Sequence, residues 1–131
     1  MANATAVLVY ETALPIAFTV ADGDSIEKGD FLQLTDPMTV SLSSGAHNLF
    51  GGIAAEEKIA SDGKTKIAVY REGIFRVEAG TSGVTVGKQV VIEAKNELTD
   101  YTTLDGEKGE TFGYTFETAA NGEFFMMELR A

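Results

Sequence analysis

His47 is the only histidine among the 131 residues, and the chain has no cysteine. Thiolate nucleophiles, disulfides and thiolate metal sites are therefore excluded outright. His47 stands in Ser43-Ser44-Gly45-Ala46-His47-Asn48, which sets a base near two hydroxyls. A hydrolytic triad also needs an orienting carboxylate and an oxyanion hole, and this polar connection contains no nucleophile elbow. His47 reads as a surface-loop histidine. One histidine without cysteine leaves only oxygen-ligand ions as metals. Asp22-Gly23-Asp24 followed by Asp30 is the nearest calcium-like stretch, but Ile26 occupies the fifth position and Glu27 the sixth, where glycine is required. It reads as a turn with solvated carboxylates. Glu56-Glu57 is the nearest carboxylate pair, yet adjacent residues on an extended chain point to opposite faces and do not converge on one substrate. No glycine-rich phosphate loop ending in Lys-Ser/Thr occurs. The residues predict a protein with no catalytic group, no cofactor and no metal.

The elements that would have to position any such group are short and extended. Asp22-Gly23-Asp24, Asp36-Pro37, Ser43-Ser44-Gly45, Ser61-Asp62-Gly63, Gly80-Thr81-Ser82-Gly83, Asp105-Gly106 and Asn121-Gly122 are turn signals. Between them lie β-rich runs at 31–35, 38–42, 50–55, 65–71, 73–79, 89–94, 111–117 and 123–130. Short strands at this spacing predict an all-β fold, a small barrel or sandwich of antiparallel strands. Ala54 to Ala60 has helical composition but supports at most one short helical turn.

Residues 1–21 have a different texture. Glu11 is their only charge, and all 14 glycines lie from Gly23 onward. Thr5, Val7 and Val9 alternate with Ala6 and Leu8, and Pro15 favours extension before it. We read 1–21 as an extended N-terminal arm and 22–131 as the β domain. With no turn to fold it into a hairpin, the arm is expected to add a strand to a neighbouring subunit through Thr5, Val7, Leu8 and Val9. The alternative is that it pairs within its own barrel. In the last run Phe125, Met127 and Leu129 share one face while Phe124 and Met126 lie on the other. A strand apolar on both sides is covered on both, so Phe124 and Met126 are either core or a subunit interface.

A weak repeat runs through the chain. Ile26-Glu27-Lys28-Gly29 and Val84-Thr85-Val86-Gly87 lie 58 residues apart and each leads into a strand. Phe50-Gly51-Gly52-Ile53-Ala54 echoes Phe112-Gly113-Tyr114-Thr115-Phe116, and Gly73 to Val77 echoes Gly122 to Met126. The order is that expected of a barrel made from two similar halves.

Twenty acidic against ten basic residues give a net charge of −10, which repels phosphate backbones and argues against nucleic acid as a partner. The acids are scattered, as on a solubilising surface. The longest apolar-leaning stretch, Ala13 to Val20, is too short to span a bilayer, so no membrane partner is expected. Met1 to Val9 has no basic region followed by an apolar core, so no signal peptide is expected.

Taken in order, the glycine-led strand Ile26 to Leu34, Gly51-Gly52-Ile53-Ala54, Lys64 to Val77 with Glu72-Gly73-Ile74-Phe75, Val84 to Ile92, Phe112-Gly113 and Ala119 to Leu129 resemble the head decoration, or capsid cement, proteins of tailed bacteriophages. The resemblance spans residues 22 to 130; the N-terminal arm matches none of its motifs. It implies a β-barrel protein that binds the exterior of the capsid as a homotrimer, contacts the major capsid protein and stabilises its lattice. The protein would be made in the host cytoplasm and reside on the outer surface of the virion. A carbohydrate-binding or adhesin-type β domain is the alternative, with the absence of tryptophan against it, and a hydrolase on a β scaffold is disfavoured by the motifs. On this reading His47→Ala leaves particle binding and particle stability unchanged in a decoration assay; a large loss in that variant would contradict it.

Overall fold

Period-2 patterning and closely spaced turns produce strands throughout. The computed structural model describes residues 5–43, 50–81, 83–94, 96–100 and 113–130. In chain order its strands are β1 (Val7–Tyr10), β2 (Ile16–Thr19), β3 (Phe31–Asp36), β4 (Thr39–Leu42), β5 (Phe50–Ala54), β6 (Lys66–Tyr70), β7 (Glu72–Ala79), β8 (Val90–Ala94), β9 (Glu97–Asp100), β10 (Gly113–Thr115) and β11 (Phe124–Arg130). The fold is all-β, and the described residues contain no helix. Ala54 ends β5, and Lys58 forms a bridge with Ile26 where a helical turn was allowed for.

Strands β2-β4-β3-β5-β6 close a barrel, and the other sheet runs β10-β11-β7-β9-β8. A bridge between Gln89 and Tyr114 joins the ends of that second sheet, so it too curls into a ring. The two rings repeat one plan. β2 pairs in parallel with β4 at Thr19 and Thr39, as β7 does with β9 at Glu78 and Glu97. The Ile26–Lys58 bridge has its counterpart in Val84–Ala119. Gly29 N–H donates to Ala54 O (2.8 Å) and Ala54 N–H to Asp30 O (2.9 Å); Gly87 donates to Thr115 O (2.9 Å) and Thr115 to Lys88 O (3.0 Å). Gly29 (φ 94°) and Gly87 (φ 82°) take the left-handed conformation at this turn, which glycine adopts without steric cost.

The repeat therefore builds two small barrels, where the sequence suggested one barrel from two halves. Two of the sequence echoes shift accordingly. Ala54 and Thr115 hold equivalent hydrogen-bonding positions, so Gly113 matches Gly52, one residue from the alignment that the phenylalanines suggest. Gly73 to Val77 and Gly122 to Met126 lie mostly on neighbouring strands of one sheet, β7 and β11, and are not equivalents.

The expectation of an unpaired N-terminal arm is corrected here. β1 pairs antiparallel with β7, Val7 opposite Arg76 and Leu8 opposite Phe75. β2 pairs with β6, Phe18 opposite Ile67. The partners are far along the chain, so no local turn announces them. Strands on both sides of residue 21 share the same sheets. β9 escaped the sequence reading because Leu98 is the one apolar residue in Glu97-Leu98-Thr99-Asp100, and its place comes from backbone pairing with β8.

The first barrel is filled by Phe18, Val20, Ile26, Leu32, Val40, Ala54, Ile67 and Val69. Alternation sends the neighbours Phe31, Ile53 and Tyr70 outward, into a second cluster with Phe75, Val77, Phe125 and Met127 that fills the other barrel and the junction. Tyr70 meets Phe75 edge-to-face at 5.5 Å.

A polar tie crosses the same junction. Asn96, at the tip between β8 and β9, donates from Nδ2 to Asp30 Oδ1 (2.9 Å) and accepts from Phe31 N–H (2.8 Å). Asp30 Oδ2 accepts from Glu27 N–H at 2.9 Å. Asp30 and Asn96 are 2% and 1% exposed, so neither can turn to water. Asn96 has φ 59°; its counterpart at the first barrel's tip, Met38, has φ 51° and faces solvent. Asparagine tolerates this left-handed conformation better than most residues. We expect Asn96→Ala to destabilise the protein by about 3 kcal/mol, combining buried groups left unsatisfied with an unfavourable φ. Asn96→Gly relieves the backbone part and is expected to cost less. Urea unfolding measures both; an Asn96→Ala loss below about 0.5 kcal/mol, the level of ordinary surface changes, would contradict the tie.

Candidate functional site

The carboxylates that invite a chemical reading are engaged in structure. Glu56 Oε2 accepts Ala68 N–H at 2.7 Å, and its other oxygen pairs with Lys64. The Lys64 hydrogen bond, helped by the Ala68 N–H, holds its pKa below the usual carboxylate range. Glu57 is exposed beside it. Asp30 is held by the junction. Asp22 turns toward Lys58, whose buried Nζ donates to Asp22 O (2.7 Å), Asp62 Oδ1 (2.9 Å) and Ile59 O (3.2 Å), with Asp22 Oδ1 at 3.4 Å. Among the described residues no group of three or more His, Cys, Asp or Glu is placed to hold a metal. His47 lies outside the described residues.

What the fold does present is a sheet face. Antiparallel partners share a face, so two rows can be followed across four strands. One runs Phe116, Met126, Arg76, Val7: Phe116 N–H donates to Met126 O (2.9 Å), Met126 lies opposite Arg76, and Arg76 opposite Val7. The other runs Tyr114, Glu128, Ile74, Tyr10. Phe124 follows beside Glu78. The interleaved residues Phe75, Val77, Phe125, Met127 and Leu129 point into the core. Tyr10, Val7, Phe116, Tyr114 and Phe124 are all at least 40% exposed. Large apolar side chains gathered on one sheet face, rather than scattered singly, are a feature of contact surfaces.

The residues singled out from sequence divide on this sheet. Val7, Phe124 and Met126 come together on the outer face. Leu8 points inward and packs against the core. Val9 falls at the irregularity between Leu8 and Tyr10 and is 39% exposed. Thr5 is half-buried beside Gly29. Tyr10, Tyr114, Phe116 and Arg76 join Val7, Phe124 and Met126 on this face without standing out in the sequence, where the alternation of Tyr114 with Phe116 and of Phe124 with Met126 is the signal that marks it.

A sequence model of phage cement proteins matches residues 10–129. No curated protein matches the chain. Among solved structures it is similar to the N base of head fiber gp8.5 in bacteriophage phi29, with a TM-score of 0.55 at 13% identity over 87% of this chain and 91% of that one. At that identity the likeness is one of fold.

The Lys58 cluster carries a pH dependence. Desolvation pulls the Lys58 pKa down, but the hydrogen bonds and charges of Asp62 and Asp22 outweigh it and hold the ammonium above its ordinary value. The Lys58 hydrogen bond and the Lys64 and Ile59 N–H groups lower Asp62 to about 2. A depressed carboxylate contributes stability above its unfolded pKa of 3.8 that is lost as pH falls toward about 2. Lys58 acts in the opposite sense: its contribution is full below 10.5 and is lost as pH rises through its higher folded value. Lys58→Met is therefore expected to flatten the fall in unfolding midpoint between pH 4 and pH 2. Equal slopes in the two proteins would contradict the assignment.

Proposed function

The chain belongs to the phage cement protein family, and on that premise we propose that it binds the outer surface of a phage capsid as a homotrimer, contacts the major capsid protein and stabilises its lattice. The family assignment over residues 10–129 carries this reading, and the molecule supports it physically. A cement needs a stable body and an adhesive surface rather than a reaction centre. Two barrels on a continuous core make the body, and the outer face around Phe116, Met126 and Phe124 is a surface suited to contact between subunits of the trimer. The net charge of −10 keeps densely displayed copies from sticking elsewhere. In this account the protein is made in the host cytoplasm and ends on the virion.

The exposed rings of Tyr10, Tyr114, Phe116 and Phe124 favour one second reading, a carbohydrate-binding domain, because sugar rings pack on exposed aromatic faces. One pair of measurements separates the two. Purified protein is incubated with undecorated capsids and, separately, with a glycan panel. We expect saturable binding to the capsids, a rise in the temperature at which they release genome or fall apart, and no glycan hit. Glycan binding without capsid binding would overturn the cement reading.

A further inference from the structure

The internal repeat provides a control that single-barrel proteins lack. Ala55 N–H donates to Ala68 O at 2.9 Å, and Ala68 lies opposite Ala17. This is the row Phe116, Met126, Arg76 in the other barrel, except that Ala55 packs against the junction core where Phe116 is exposed. Ala68 N–H is capped by Glu56 at 2.7 Å, as Met126 N–H is capped by Glu117 at 2.9 Å. Lys66, opposite Thr19, stands where Phe124 stands opposite Glu78. The backbone plan is the same, with three alanines and a lysine in one barrel and Phe, Met, Arg and Phe in the other. The bulk is therefore not needed to form this sheet.

We propose that the outer face of β10-β11-β7-β1 is the contact between copies of this chain, one part of the face on each copy meeting a different part on the next so that three copies close a ring, whereas Ala17, Ala68 and Lys66 on the matching face of the first barrel stay in solvent. The proposal rests on the reading of the protein as an oligomeric decoration and identifies its subunit surface. Charge favours a second copy as the occupant. Chains of net charge −10 repel one another except where acids are few or balanced. In the two rows the charged side chains are Arg76 and Glu128, on adjacent rows, and the third row adds only Glu78, which is buried. Arg76 of one copy can therefore meet Glu128 of the next while the aromatic residues and Met126 pack around them. Area sets the strength. Four strands at about 4.8 Å spacing and three rows about 7 Å apart give roughly 300–400 Å² per copy, about half of the ~800 Å² per partner in a standard stable complex. The contact is weak between free chains and forms where a shell concentrates them.

The test places the photo-crosslinker p-benzoylphenylalanine at position 124, or at the matched position 66. Both side chains are exposed, so neither replacement disturbs a core. Each protein is irradiated on particles and, without particles, at about 1 mM, the range of effective concentration that tethering provides. Position 124 is expected to yield copy-to-copy product on particles and, in smaller amount, in the concentrated free chain, with position 66 at least tenfold lower. Adding Phe116→Ala and Met126→Ala, the first barrel's own choice, is expected to cut the product at least fivefold with an unchanged unfolding midpoint. Product joining position 124 to a shell protein, equal product at 66 and 124, or no product in either setting would overturn the proposal. Copy-to-copy product in the free chain without any particle binding would retain the contact and sink the cement reading.

Discussion

This protein joins its two barrels at the start of β3, where Phe31 and Leu32 are buried on opposite sides of the strand while Leu34 to Asp36 are exposed. Leu32 fills one barrel while Phe31, its neighbour, fills the junction. Backbone groups at that position are cut off from water and have to be answered from within. Asn96 answers them, accepting from Phe31 N–H and donating to Asp30. An apolar junction without the amide would take the Asn96 partner from one oxygen of the buried Asp30 carboxylate and from the Phe31 N–H, and a buried group left unsatisfied costs more than an ordinary hydrogen bond provides. The tie fixes the tip between β8 and β9 of the second barrel against the start of β3 in the first.

The repeat also shows where the halves diverge. Backbone hydrogen bonds recur from one half to the other, including the glutamate caps at Ala68 and Met126. The side chains around them do not. Where the first half buries Lys58 among four oxygens, the second has the buried Ala119. Where the first tip ends in exposed Met38, the second has buried Asn96. Where the first face carries alanines, the second carries Phe116 and Met126. Each exchange has a physical role: an ion lock for a turn, a polar tie for the junction, bulk for a surface.

Much of the fold was legible in the sequence, because its signals are local. Turn residues and β-rich runs located β3 to β8, β10 and β11, and the glycines at 29 and 87 marked the repeat. The failures were non-local. β1 and β2 find partners in β6 and β7, which period-2 texture cannot reveal, and β9 has a single apolar residue to show. The site was half legible. Phe124 and Met126 stood out because their strand is apolar on both faces, and Val7 because of its alternation. That these three share a face with Tyr10, Tyr114 and Phe116 depends on register, which is a tertiary property. The reading of Asp22-Gly23-Asp24 and Asp30 as solvated carboxylates fails at Asp30, which is buried at the junction, because sequence does not show that Asn96 comes to meet it or that Lys58 is buried against Asp22 and Asp62.

The central claim is that two barrels of one plan have been given different outer faces, one adhesive and one bare. A cryo-EM reconstruction of decorated particles at side-chain resolution tests it most directly. The account predicts that Phe116, Phe124 and Met126 are buried against another copy of the chain while Ala17, Ala68 and Lys66 remain in solvent. A map in which the first barrel's face is covered and the second's is bare would contradict it.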